Sequence, residues 1–422
     1  MKHYDIIVGG GGFAGATAAI AAAREQKSVL LIEKYNCLGG AAVYDLVNPF
    51  MPYWTKSPET GEKIMLSAGI FTEILDRLEA LDAFIPNGRR TAFNEEYLKL
   101  VLNRMAVESG VTLLYQTVVT GVTLDGRRIL SLRASNVSGE SEFSADVYID
   151  ATGDANLSAL AGFPFRLGRE SDSLCQPMTL CFRLANVDTA EFASIKPQIN
   201  PLYREKQRTG EITNPRENVL VFSYRAPGIL HFNTTRVVKL NPTDAFDVTQ
   251  AELIAREQVF EILAFLKANF PSAFEGAELV STGIQIGVRE SRMIEGEYTL
   301  TKDDLLACTK FDDGIAACNY DIDIHSPDGS GTSHYYFPDG QYYTIPYRTL
   351  VPKNSENLLV AGRCVSASHD AQASLRIMPT CATLGEAAGI AASIAAEGKQ
   401  AVGKIDVQRL RDLLRKNGAV ID

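Results

Sequence analysis

Apolar runs along the chain alternate with glycine turns and small-residue helices in an order that predicts an α/β protein. Asp5-Ile6-Ile7-Val8 reads as a short buried strand, residues 9–12 as a run of four glycines, and Phe13 to about Arg24 as a small-residue helix. Ser28 to Glu33 reads as a second buried strand that ends in an acid. Strand, glycine turn, helix and strand within about thirty residues form the repeating unit of a parallel, doubly wound sheet.

Downstream the pattern changes several times. From Asn48 to Arg90 it is irregular, with Pro49, Pro52, Pro58 and Pro86 around a helix predicted over 71–81. Residues 93–110 predict an amphipathic helix: Asn94 and Glu95 stand at its start, Gly110 stops it, and Tyr97, Leu98, Val101, Leu102 and Met105 recur at helical spacing. Residues 111–136 alternate around a hairpin signal at Asp125-Gly126, and 143–149 complete a small antiparallel element. Val147 to Asp154 is another strand running into a turn. The stretch 165–344 is richer in strands, polar loops and aromatics, and Asn357 to Arg363 is a further buried strand and glycine turn. A long Ala/Gly helix is expected from about Cys381 to Ala396, and a terminal helix over 408–416. The expected organisation is a dinucleotide-binding domain in two parts, 1–165 and 345–400, interrupted by a mixed, β-rich substrate domain over 166–344 and followed by a C-terminal helix in 401–422.

Composition narrows the function. The net charge is −10, and no Lys/Arg block of the kind that tracks a phosphate backbone occurs, which argues against nucleic acid as a partner. The first strand begins by Tyr4, so no secretion signal is expected, and the Ala-rich run from Ala14 to Ala23 is too short to span a bilayer. The seven cysteines are scattered without a CxxC pair, so reduced thiols in a cytoplasmic protein are the expectation.

The sharpest motif is Gly10-x-Gly12-x-x-Gly15. The first glycine permits a tight turn, the second lets the backbone approach a pyrophosphate, and the third lets the helix, whose small face continues through Ala19 and Ala23, pack closely on the strand. Glu33, eighteen residues beyond Gly15, ends the second strand where an acid accepts hydrogen bonds from ribose hydroxyls and disfavours a 2′-phosphate. The fingerprint alone fits NAD as well as FAD.

Three further pieces separate the two. Glu33-Lys34 followed by Leu38-Gly39-Gly40, then Ile149-Asp150-Ala151-Thr152-Gly153-Asp154, then Leu359-Val360-Ala361-Gly362-Arg363 fall in an order that resembles the two-dinucleotide-fold flavoproteins related to glutathione reductase and fumarate reductase. Over nearly its whole length the chain looks like the bacterial FAD-dependent oxidoreductase family, on Val47-Asn48-Pro49-Phe50, Gly287-Val288-Arg289-Glu290-Ser291-Arg292 and Ala361 to Ser374. The resemblance implies a Rossmann-like FAD-binding fold with FAD as cofactor. It places Gly10, Gly12, Phe13, Ala14, Gly15, Glu33, Lys34, Gly39 and Gly40 around the ADP half, and Val119 (or Val118) beside the adenine. It puts Thr152, Gly153 and Asp154 beneath the cofactor and Gly362 and Arg363 near the ribityl chain. The helix near Cys381 would aim its N-terminus at the flavin pyrimidine, where it stabilises negative charge. One departure is Gly9, where relatives commonly close the strand with Val or Ile. A single full fingerprint and the lack of a redox cysteine pair argue against a second nucleotide domain for NAD(P)H.

The expected chemistry is hydride transfer between flavin N5 and a small polar substrate, carbohydrate-like or a hydroxy or unsaturated acid. His369, with Asp370 beside it, is the expected acid/base, and Arg292 and Arg348 the polar anchors. The cluster Arg289-Glu290-Ser291-Arg292 serves equally as a salt-bridged corner. Asp321, Asp323 and His325 share one strand face, but without further ligands no metal is assigned. His334 lies among tyrosines in a loop that suits ring stacking or an ordinary hairpin surface. The electron donor or acceptor is left unnamed, and self-association into a homo-oligomer is left open. The alternatives are a flavin-bearing electron-transfer subunit acting with a protein partner and, more weakly, a biosynthetic reductase or lipid-ring enzyme.

Overall fold

The computed structural model describes residues 1–87 and 90–422. Its largest sheet has seven strands in the order Thr112–Leu114, Val29–Ile32, Lys2–Gly9, Gly139–Asp150, Arg128–Asn136 and Val118–Asp125, with Leu358–Val360 also paired to Gly139–Asp150. The strand Gly139–Asp150 serves two partners along its length. Its first residues run antiparallel to 132–136, and from Phe143 onward it runs parallel to Lys2–Gly9. Gly9 pairs with both Ile32 and Asp150, and Asp150 pairs with Val360, so four parallel strands end at one level. The carboxyl edge of such a sheet is where α/β proteins bind ligands.

Two helices cover this sheet from inside the molecule. In Phe13–Arg24 every residue but Arg24 is buried, and in Met378–Gly398 everything from Pro379 to Ala396 is buried. A helix without a polar face belongs inside, and here small residues let two such helices touch through their backbones. A Cβ added at Gly385 would lie 2.1 Å from Ala14 O, and one at Gly389 would lie 2.2 Å from Ala18 O. The long helix begins at Met378, a turn earlier than the Ala/Gly pattern indicates, with Pro379 in its first turn.

The middle of the chain contains a second core. An antiparallel sheet in the order Val221–Ser223, Leu230–Phe232, Phe182–Ala185 and Glu278–Thr282 packs with the helices Thr189–Arg208 and Ala245–Asn269. Segments beyond Arg292, including Ile294, Ile315, Tyr343 and Tyr347, join the first core. A buried ion pair ties the two bodies: Arg183 grips Glu95 with both terminal nitrogens, and Tyr224 donates to the same carboxylate at 3.2 Å. The stretch 48–90 is less irregular than its prolines imply, because it holds the hairpin Trp54–Lys56/Lys63–Met65 and the start of a second, Phe84–Asn87, which pairs with Arg90–Phe93.

Candidate active site

At the carboxyl edge of the large sheet lies a cleft of about 150 Å³, built where the strand Lys2–Gly9 gives way to the helix Phe13–Arg24. Gly10, Gly12, Phe13 and Ala14 line one side; Glu33, Lys34, Gly39 and Gly40 line the next. Thr152, Gly153 and Asp154 enter from the end of Gly139–Asp150, and Gly362 and Arg363 from the turn after Leu358–Val360. The structure thus brings together thirteen of the fifteen residues expected at a cofactor. Of the other two, Gly15 lies behind the cleft, where an added Cβ would sit 1.8 Å from Gly10 O. Val119 packs on the opposite face, with the cluster that includes Tyr4, Leu132 and Tyr148, and does not line the cleft.

The cleft fits a dinucleotide on three grounds. A Cβ at Gly10 would stand 2.5 Å from Ala151 O, and one at Gly40 would stand 2.7 Å from Gly12 Cα, so only glycine keeps these loops at their present approach. The helix Phe13–Arg24 has Gly12 at its N-cap with no side-chain cap, which leaves its first N–H groups for an anionic ligand. Glu33 is buried, and its carboxylate accepts from the backbone N–H groups of Gly11 and Tyr35. Burial pushes this carboxyl up, against the lowering effect of those N–H groups and of Lys34. Glu33 lines the cleft, and a carboxylate has lone pairs beyond those two bonds for the hydroxyl donors that a ribose would supply.

A second cavity, of about 330 Å³, adjoins the first and is within the size range of small-molecule sites. The two share Ala41, Asp45, Arg363, Arg376 and Met378. The first turn of the long helix, represented by Met378 and Cys381, therefore stands at the border of the cleft. Asp45 is 5% exposed, and its one side-chain hydrogen-bond partner among the described residues is Gln285, whose amide donates to Oδ1 at 2.7 Å. Burial, only partly opposed by Gln285 and by the more distant Arg363 and Lys34, pushes this carboxyl up to about 7.

The chamber is also rich in guanidinium groups. Arg289 donates to Pro177 O at 2.7 Å, to Asn233 Oδ1 at 3.2 Å and to the Thr179 hydroxyl, all neutral acceptors. Burial, with Arg376 and Arg216 nearby, lowers it to about 9, which leaves it charged at neutral pH. Arg216 and Arg236 both donate to Nδ1 of His325, at 3.2 and 3.0 Å. Guanidinium only donates, so His325 must carry its proton on Nε2, which lies 3.4 Å from Asp323 Oδ2. Burial first, and then the charges of Arg289 and Arg216, hold this imidazole well below its ordinary range. His325 is neutral and fixed in one tautomer.

The residues expected to carry chemistry are not gathered in this chamber. His369 is buried, and its Nδ1 donates to the fully buried Glu290 at 2.8 Å; neither residue lines either cavity. Arg292 donates to Asp154 O and Asn156 Oδ1, both at 3.0 Å. Arg348 pairs with Asp313 at 2.9 Å beside a separate surface hollow. The run Arg289-Glu290-Ser291-Arg292 is a corner whose members part company. Arg289 enters the chamber, Glu290 takes His369, Ser291 donates to Asp154 at 2.7 Å, and Arg292 holds the backbone of the same turn. Arg363 completes that turn by donating to Asp154 at 2.8 Å. Sequence reasoning missed Asp45 and Arg376. The available signals were a polar residue soon after Gly39-Gly40 and an arginine just before the helix start marked by Pro379.

Comparison with known proteins bears on the cofactor. The chain matches the family described as FAD dependent oxidoreductase over residues 5–414. No curated protein matches it. Among solved structures, a geranylgeranyl bacteriochlorophyll reductase-like protein from Thermoplasma acidophilum is similar at 13% identity and a TM-score of 0.48, over 99% of this chain and 84% of that one. A flavin-dependent brominase is similar at 15% identity and a TM-score of 0.48, over 98% and 83% of the two chains. The p-nitrophenol 4-monooxygenase of Pseudomonas putida DLL-E4 follows at 11% identity and 0.45, over 100% and 82%. The chain belongs to the FAD dependent oxidoreductase family, and FAD is its cofactor.

Proposed function

We propose that the protein oxidises or reduces a small anionic substrate, a hydroxy or unsaturated acid, held in the chamber beside the FAD cleft. The observation that carries this reading is Arg289, a half-buried cation on the chamber wall whose hydrogen-bond partners among the described residues are all neutral oxygens. A substrate carboxylate satisfies such a fork in a way that a neutral sugar does not. Arg376, which lines both cavities, orients the same charge toward the cleft.

In this reading Asp45 replaces His369 as acid/base. It lies on the wall common to both cavities, and a carboxyl that titrates near 7 can both take and return a proton at neutral pH. Ionised, it accepts the hydroxyl proton of a substrate being oxidised; protonated, it donates to one being reduced. When bound, FAD supplies the two-electron acceptor or donor. Gln285 holds the Asp45 carboxyl in place, and Arg289 and Arg376 position the substrate and exclude water from its charged end. The inserted body supplies Arg216 and Arg289, and the first body supplies Asp45 and Arg376. Kinship with the two-dinucleotide-fold flavoproteins is supported by the order of the Glu33, Gly39-Gly40, Asp150-Asp154 and Gly362-Arg363 pieces.

The test is anaerobic mixing of the holoprotein with matched panels of hydroxy acids, unsaturated acids and neutral sugars, before and after chemical reduction of the flavin. Acids alone should change the flavin's oxidation state, and Arg289→Met should raise the half-saturating concentration at least about tenfold, as loss of a charged hydrogen bond implies. Equal turnover of neutral sugars, with no effect of Arg289→Met, contradicts the proposal.

A further inference from the structure

A third cavity, of about 420 Å³, lies outside the chamber. The two share Arg90, Phe222, Asp321 and Tyr336, so they meet at a neck. On that neck the hairpin Ile322–His325/Thr332–Tyr335 sets Asp323 directly across from His334, and Asp321 lies one pleat before Asp323 on the same face. One oxygen from each carboxylate and one imidazole nitrogen lie within 4.8 Å of one another. Asp321 Oδ2 is 2.6 Å from His334 Nδ1, and Asp323 Oδ1 is 3.6 Å from the same nitrogen.

Asp323 is built asymmetrically. Its Oδ2 accepts from the Tyr320 hydroxyl at 2.9 Å and faces His325 Nε2 at 3.4 Å and Arg376 at 3.7 Å. Its Oδ1 is buried, has no hydrogen-bond partner among the described residues, and lies 3.6 Å from His334 Nδ1. The residue as a whole is 7% exposed. A buried carboxylate oxygen without a partner is costly, whereas a carboxylate held from behind by hydrogen bonds with one lone pair presented forward is how metal ligands are oriented. His325 has its place in this arrangement: its fixed tautomer aims an N–H at the back of Asp323.

We propose that Asp321, Asp323 and His334 bind a divalent transition-metal ion of the Zn²⁺ or Mn²⁺ type at the neck of the chamber. One imidazole and two carboxylates suit such an ion, and bonds of about 2.1 Å hold donor atoms about 3.0–3.4 Å apart, so Asp321 and His334 would open by about half an ångström while Asp323 closes slightly on His334. Water or a substrate oxygen would fill the remaining positions. An ion there would neutralise two acids on the route by which an anionic substrate reaches Arg289. The ion-binding claim rests on the three ligands alone and stands or falls apart from the proposed reaction.

The experiment uses untagged, FAD-loaded protein, stripped with a chelator, gel-filtered, and titrated calorimetrically with Zn²⁺ and then Mn²⁺, with bound metal counted by plasma emission. Wild type should hold one ion per chain. His334→Ala, which changes a side chain open to solvent, and Asp321→Asn should each weaken binding at least about 100-fold, beyond the usual effect of losing an outer partner. His3→Ala, at the distant pair with Asp146, should leave binding unchanged. Failure of wild type to retain either ion, equal affinity in His334→Ala, or loss of the ion in His3→Ala overturns the proposal.

Discussion

Replacing Gly389 with alanine tests whether the backbone contact between the two buried helices supports the cleft. The added methyl would lie 2.2 Å from Ala18 O and 3.0 Å from Ala18 Cα, so the helices must separate by about 1 Å to restore ordinary contact distances. Alanine favours an isolated helix over glycine by about 1 kcal/mol. Overpacking a dense core costs about 1–3 kcal/mol, with the upper end expected where the obstacle is backbone rather than a side chain that can turn away. The net effect should be destabilisation of about 2 kcal/mol, or a fall of roughly 2–4 °C in melting temperature for a chain of this length. Because the displaced partner carries Gly12, Phe13 and Ala14, FAD should also bind more weakly. Differential scanning fluorimetry on flavin-free and flavin-loaded protein reads both effects. Gly276→Ala is the control, since its added Cβ would meet nothing closer than Asn186 O at 3.7 Å. A Gly389→Ala protein that melts at or above wild type and keeps full FAD affinity would refute the reasoning.

Glu33→Ala strands the N–H groups of Gly11 and Tyr35 and removes the acceptor for a ribose, so equilibrium dialysis should show FAD held about 10- to 100-fold more weakly. Glu386 accepts from the Ile70 N–H at 2.9 Å, and burial pushes its carboxyl up to about 7, against about 4.3 when unfolded. The folded state therefore keeps a proton that the unfolded chain has released. The stability this proton confers is fully present below about pH 4 and is lost as pH rises through 7. Melting temperature should fall between about pH 5 and pH 7.5 in wild type, and Glu386→Gln should flatten that slope; an unchanged slope would remove Glu386 from the account.

The dinucleotide unit was legible because its signals are local. Strand, glycine turn, small-residue helix and terminal acid follow one another without interruption, and steric demands at Gly10, Gly15 and Gly40 leave few alternatives. The two long helices of the middle segment were not. Thr189–Arg208 carries Pro197 and Pro201 in its interior, and a proline reads locally as a helix end. In Ala245–Asn269 the buried stripe of Ala251, Ala255, Val259, Ile262 and Leu266 is blurred by Phe246, Leu253 and Phe260, which point to solvent. The chamber was hidden for a different reason. Its walls come from segments near 45, 216, 289, 323 and 376, and only the tertiary fold decides which polar residues converge. His369 drew attention as a histidine beside an acid downstream of a glycine turn, yet its partner is the buried Glu290, 79 residues away in sequence. Asp45 carries no local mark of its environment, since its raised affinity for a proton comes from burial.

The most direct test of the proposed chemistry is the pH dependence of anaerobic flavin reduction by a turned-over hydroxy acid, in wild type and in Asp45→Asn. The rate in wild type should rise through an ionisation near pH 7, as the carboxyl loses its proton and becomes able to accept one. Asp45→Asn should keep FAD, lose that ionisation, and react roughly 10²- to 10⁴-fold more slowly, the usual worth of a positioned acid/base. A variant that reduces its flavin at the wild-type rate, or that retains the same inflection, contradicts the assignment of Asp45 and with it the site proposed for the reaction.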